Sequence, residues 1–202
     1  DGASLSISND ITSAENITIN GTGVSSVGAL YFASGNNTYS GNITLGAATT
    51  ITSAAGNQTI SGTINGAFTL SITSVANLSL TGSIGSSTQP TSLTATTTGS
   101  SNDLTLGGDI EVNGPITFTS ARDIILNTNL VKSYASSEDI ILRAKRDITT
   151  QTNDTTSLAV TSTGGNILFT SDTDDTNGGG ILILGGTVID SNGGDITFAG
   201  GD

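Results

Sequence analysis

The sequence predicts an all-β chain wound into a single rod, a right-handed parallel β-helix or β-solenoid, and three observations carry that prediction. From Asn16 to Asn102 there are 87 consecutive residues without Asp, Glu, Lys, Arg or His. Within that stretch Ile and Leu alternate with small polar residues in Asn16-Ile-Thr-Ile-Asn20, Asn42-Ile-Thr-Leu-Gly46, Phe68-Thr-Leu-Ser-Ile-Thr73 and Asn77-Leu-Ser-Leu80, which is the period of a strand with one buried face. Finally, an Asx residue followed by Ile or Leu recurs throughout, at Asp10, Asn16, Asn42, Asn77, Asp103, Asp109, Asp123, Asp139, Asp147, Asn166 and Asp195.

Taken in chain order, Ala3-Ser-Leu-Ser-Ile-Ser8 opens as a strand, and the alternating segments follow as strands of about four to seven residues. Clusters of Gly, Asn, Asp and Ser between them supply turns. Ser87 to Asn102 reads as a loop or a loosely specified strand, because Pro90 cannot donate to a ladder. Pro115 is tolerated at the head of Pro115-Ile-Thr-Phe118, and Asp195-Ile-Thr-Phe-Ala-Gly200 forms the last predicted strand. No stretch carries a 3.6-residue apolar stripe. Several Asx intervals fall between 14 and 20 residues (Asp109 to Asp123 to Asp139, and Asp147 to Asn166), with shorter steps of 6 to 8 where two strands follow each other, which predicts coils of roughly 16 to 22 residues with two or three strands each. About ten such coils at about 4.8 Å per coil give a rod about 50 Å long.

Composition fits many small cores better than one large one. The 202 residues include 27 Gly, 35 Thr and 22 Ile, with no Cys, Met, Trp or His and 4% aromatics. A β-sandwich would show longer strands and larger aromatic anchors. Both halves carry the Asx-Ile motif, so residues 1–202 form one domain, neutral over 1–102 and charged, mostly acidic, over 103–202. Stacking like charges at the coil spacing is repulsive, which favours neutral faces in the first half.

Charge and composition also exclude functions. A net charge of −12 and a pI near 4.1 argue against nucleic acid as a partner. The longest apolar runs, Ala29–Ala33 and Ile181–Leu184, are too short for a membrane span. The chain starts at Asp1, without Met or a recognisable signal peptide, and reads as a processed product or an excerpt. All five basic residues, Arg122, Lys132, Arg143, Lys145 and Arg146, fall within one 25-residue window. That window reads first as solvated coil faces balanced by Asp123, Glu138 and Asp139, and second as a docking patch for an anionic surface.

Candidate chemistry is confined to one place. Ser171-Asp-Thr-Asp-Asp-Thr-Asn-Gly-Gly-Gly180 is the only dense carboxylate cluster. Asp172, Asp174, Asp175 and Asn177 offer oxygens for a hard cation such as Ca²⁺, though without EF-hand spacing or a bidentate Glu. A solvated acidic turn explains them more simply, and no other cofactor is implied. Catalysis is not expected, since His is absent and the neutral half supplies no acid or base. Thr-x-Thr triplets such as Thr94-Ala-Thr96, Thr117-Phe-Thr119 and Thr161-Ser-Thr163 resemble the arrays of ice-binding solenoids, but Thr-x-Thr does not recur at a fixed coil interval.

Gly35-Asn-Asn-Thr-Tyr-Ser-Gly-Asn-Ile-Thr-Leu-Gly46 resembles the strand repeat of autotransporter passenger domains. Gly194-Asp-Ile-Thr-Phe-Ala-Gly200, Gly108-Asp-Ile-Glu-Val112 and Arg122-Asp-Ile-Ile-Leu126 are similar to repeats of filamentous-haemagglutinin-like adhesins. The resemblance touches most of the chain as scattered repeats, and neither a two-partner secretion domain nor a translocating β-barrel is visible. It implies an extracellular bacterial adhesive or structural element, part of a surface fibre or filament, meeting host or neighbouring-cell surfaces and their glycans. Strands starting near each terminus without a capping helix add the expectation of end-to-end self-association or continuation of a longer rod. The alternative is a carbohydrate-binding or polysaccharide-processing β-helix.

Overall fold

Parallel strands stack turn upon turn in the computed structural model, which describes residues 2–128, 130–150, 158–176 and 178–200. The first face of the solenoid is a ladder of nine strands in chain order, from Leu5–Ile7 through Ile43–Ser53, Thr69–Ser74, Ser92–Thr97 and Ile116–Ser120 to Ile196–Ala199. A second face stacks eight strands, from Thr12–Ser13 to Ile181–Leu182. The third face starts at Ile17–Gly21 and the head of Ile43–Ser53, narrows to bridges at Ile64, Ile84 and Ile110, and widens into a four-stranded sheet ending at Val188–Asp190. The β-solenoid class predicted from the pattern is the class observed.

Two details differ from expectation. Facing partners on the first face lie 21 residues apart from Leu30 to Ile51, 23 from Ile72 to Ala95 and 29 from Phe169 to Phe198. Coils are thus longer, and turns fewer, than the spacing suggested. The Asx motif opens strands on all three faces, so its interval measures the step from face to face as well as the full coil. The segment after Pro90 is also more regular than expected, because Ser92–Thr97 pairs residue for residue with Thr69–Ser74.

Period-two alternation places one residue of each pair inside. On the first face Leu30, Ile51, Ile72, Ala95, Phe118, Leu142 and Phe169 form one buried column. The Phe169 and Phe198 ring centroids lie 5.3 Å apart at its end. Two polar columns share this interior. Ser53, Ser74, Thr97 and Ser120 are buried at a corner, where Thr97 and Ser120 meet at 3.1 Å and both donate to the Asn102 carbonyl. On the second face Asn37 and Gln58 stack in the column continued by Leu78, Leu104 and Ile124. The Asn37 amide donates to Gln58 Oε1 at 3.1 Å, and the Gln58 amide donates to the carbonyls of Gly35, Ala55 and Gly56. Satisfied in this way, the pair avoids the penalty of a buried unpaired amide.

The Asx motif has a mechanical role. At the entrance to the second face, the amide of Asn36 donates to Asp10 Oδ1, Asn57 to Asn36, Asp103 to Asn77, Asp123 to Asp103, Asp147 to Asp123 and Gly180 to Asp147, at 2.6 to 3.3 Å. Asn42 on Asn16, and Asn166 on Asp139 followed by Asp195 on Asn166, repeat the device at the other entrances. Each side chain therefore caps the backbone of the following turn.

Candidate functional site

Three surface features of the rod could carry function. The first is the acidic turn. Asp172 is buried in a left-handed conformation, φ 50°, its amide donating to the Arg146 carbonyl at 3.2 Å. Asp175, φ 52°, is exposed and its amide donates to the Asp172 carbonyl. Asp172 Oδ1 and Asp174 Oδ1 are both buried without a hydrogen-bond partner among the described residues. Lys145 Nζ lies 4.0 Å from Asp174 Oδ2 and supplies the local countercharge. Asn177 lies outside the described residues. Among those described, no three carboxylate, imidazole or thiol side chains converge as a metal cluster would require.

The second feature is the basic window, which the fold converts into an alternating charge ladder. Asp103, Asp123 and Asp147 occupy successive turns of the Asx ladder, and arginines from the adjoining corner interleave with them. Arg122 grips Asp103 through both Nε, at 2.7 Å from Oδ1, and Nη2, and also reaches Asp123 Oδ2 at 3.4 Å. Arg146 grips Asp123 in the same bidentate manner, Nε to Oδ1 at 2.8 Å, and reaches Asp147 Oδ2 at 3.2 Å. These carboxylate hydrogen bonds hold both guanidinium groups above the usual arginine range. Lys132 lies 4.3 Å over the Tyr134 ring, opposite Glu111 in the ladder, and the Tyr134 hydroxyl donates to Glu111 at 2.6 Å. Asp123 is a partner as expected, whereas Asp103 and Asp147 take the places proposed for Glu138 and Asp139. An open groove of about 390 Å³ beside Arg122, Lys145, Arg146 and Asp174 is lined by charges already paired, which makes it a poor anion trap.

The third feature gathers Thr-x-Thr triplets that the sequence reading set aside for want of a fixed interval. On the outside of the first face, Thr50-Ile-Thr52, Ser71-Ile-Thr73, Thr94-Ala-Thr96 and Thr117-Phe-Thr119 stand on four successive turns in unbroken register. Their outward side chains form two parallel columns, Thr50-Ser71-Thr94-Thr117 and Thr52-Thr73-Thr96-Thr119. Tyr31 precedes the array and Arg143 with Ile141 follows it. The triplets do recur at a fixed interval in space. Their intervals of 21 and 23 residues differ only because the remaining arcs of each coil differ in length, which corrects the expectation drawn from sequence spacing.

No family model, curated protein or solved structure matches this chain. Its similarity to autotransporter and filamentous-haemagglutinin repeats therefore rests on the motifs quoted above, and what the structure adds to them is the parallel solenoid itself. No helix among the described residues is long and apolar enough to cross a membrane.

Proposed function

We propose that this chain is an extracellular structural and adhesive rod, a segment or subunit of a bacterial surface fibre. The observation that carries the reading is the nine-strand ladder of the first face, in which each turn adds an inward apolar row and four successive turns add a small, polar outward row. Such a repeat makes length from stacking alone and keeps its shape without a large core. Its outward hydroxyl and amide rows present many identical weak contacts, the arrangement that favours avidity to a cell or glycan surface. The half-exposed Val188, Ile196 and Phe198 of the last described coil form the kind of apolar edge that stacking in line would bury.

Antibodies raised against the folded chain, applied to intact cells of its source and viewed by electron microscopy with gold labels, test the proposal. Label is expected on the outside, along fibres whose axial diffraction lies near about 4.8 Å. Label that appears only after the cells are opened would overturn it.

A further inference from the structure

We propose that the two-column hydroxyl array on the first face binds the surface of ice. This goes beyond a structural rod by assigning one face a ligand, ordered crystalline water. The geometry supplies the first argument. Outward residues two apart on a strand are about 6.6 to 6.8 Å from one another, and neighbouring turns are about 4.8 Å apart. The array is thus a two-dimensional lattice with repeats of the size at which water oxygens recur on faces of hexagonal ice.

Chemistry supplies the second. Seven of the eight hydroxyls make no hydrogen bond to any described residue; the exception is Thr52, which donates to the Val27 carbonyl. Those seven must bond to water, and their positions are fixed by the strands beneath them. Each threonine also carries a methyl group beside its hydroxyl, so the surface orders water without gripping each molecule with a charge. The array contains no ionised side chain.

Rigidity is the third argument. Threonine is stiff at χ1, and the strands are backed by buried Ile51, Ile72, Ala95 and Phe118, so little conformational entropy is lost on meeting a crystal lattice. The second face provides an internal contrast. Its three-residue strands expose a single outward column, including Thr38, Thr59, Ser79 and Thr105, which has the repeat along the rod but no second dimension.

The test is ice-recrystallisation inhibition and ice-crystal shape in the presence of the purified chain. The unaltered protein is expected to suppress recrystallisation and facet growing crystals. Thr96→Tyr, whose side chain stands above the lattice plane, should raise the concentration needed by roughly tenfold or more, while Thr59→Tyr on the second face should not. Thr73→Lys, which replaces a stiff β-branched side chain by a long, flexible, charged one, should repeat the loss. Circular dichroism of each variant identifies any unfolding, in which case the Lys variant stands in for the Tyr variant. Crystals growing as in buffer with the unaltered protein, or array variants as active as the unaltered chain, would overturn the assignment.

Discussion

A Cβ added to Gly62 would lie 1.9 Å from the carbonyl oxygen of Gly41, because the two glycines stack at the corner where the second face turns into the third. Gly82 would place a Cβ 2.0 Å from Gly62, Gly108 2.3 Å from Gly82, and Gly41 itself 2.0 Å from the Glu15 carbonyl. In three successive turns, Tyr39, Ile60 and Leu80 each offer one carbonyl to two amides of the next coil, which draws the backbones together. Side chains have no room in this column.

Gly62→Ala is therefore expected to destabilise the rod by about 1–3 kcal/mol or more, since the obstacle is backbone and cannot rotate away. Gly180→Ala, where nothing lies within 4 Å of the added carbon, should stay within about 0.5 kcal/mol of the parent. Urea unfolding of the two variants checks the contrast. Equal midpoints would mean that the corner relaxes freely.

Asn37 and Gln58 give a second prediction. Gln58→Leu would continue the apolar column of Leu78 and Leu104 but take the Gln58 donor from the carbonyls of Gly35, Ala55 and Gly56 and one acceptor from the Asn37 amide, which keeps the Ser34 and Gly35 carbonyls, at a cost of about 1–3 kcal/mol. Changing both residues to Leu removes the two stacked side-chain amides, and the bond between them, together. The double variant should thus be less destabilised than the sum of the singles by about 1 kcal/mol, measured by a double-mutant cycle. Additive costs would show that the two amides act independently.

How much of this was legible in the sequence differs from feature to feature. Alternation in Phe68–Thr73 placed Leu70 and Ile72 inward correctly, because a one-residue slip would turn every side chain over, whereas Phe68 of the same alternation lies ahead of the strand and is exposed. The Asx-Ile motif was visible, but its function was not, since the oxygen of Asp123 serves Asp147 of the next coil, a partner no local pattern names. Tyr39-Ser-Gly41, Ile60-Ser-Gly62 and Leu80-Thr-Gly82 repeat the same step from an inward residue to a glycine, and that was the available signal for the stacked corner; in a glycine-rich chain it reads as turns. The buried amides were hidden for a similar reason, as Asn37 looks like one more turn residue after Gly35. For the hydroxyl array, unequal arcs elsewhere in the coil hid an equal spacing on one face.

The charge ladder predicts sensitivity to salt. Removing Arg146 leaves the stacked carboxylates of Asp123 and Asp147 facing each other across one coil step with their shared cation gone. Arg146→Gln should lower the melting temperature, and added salt should recover part of the loss by screening the carboxylates. The unaltered protein should move in the opposite sense, or little, over the same salt range. A variant whose deficit does not change with salt would point to lost packing of the arginine stem as the cause.

Alkaline pH should act through the tyrosines. Burial pushes the Tyr39 phenol above its ordinary value of 10.0, with the Glu15 charge adding to the rise and a hydrogen bond with Ser13 opposing it. The Glu111 carboxylate, as acceptor of its hydroxyl proton, raises Tyr134 in the same direction. The folded state therefore holds these protons more tightly than the unfolded chain does. Their contribution is fully present below about pH 10 and is lost as pH climbs from there through the folded pKa values. Tyr39→Phe separates two effects, because it removes the Tyr39 share of that slope and also the bond from its hydroxyl to the Glu15 carbonyl, 2.5 Å long. At neutral pH the variant should be about 1 kcal/mol less stable, and above pH 10 the gap to the parent should narrow as the parent alone suffers ionisation of Tyr39. Parallel stability curves for the two proteins across pH 8 to 12 would show that Tyr39 ionises as freely in the rod as in the unfolded chain.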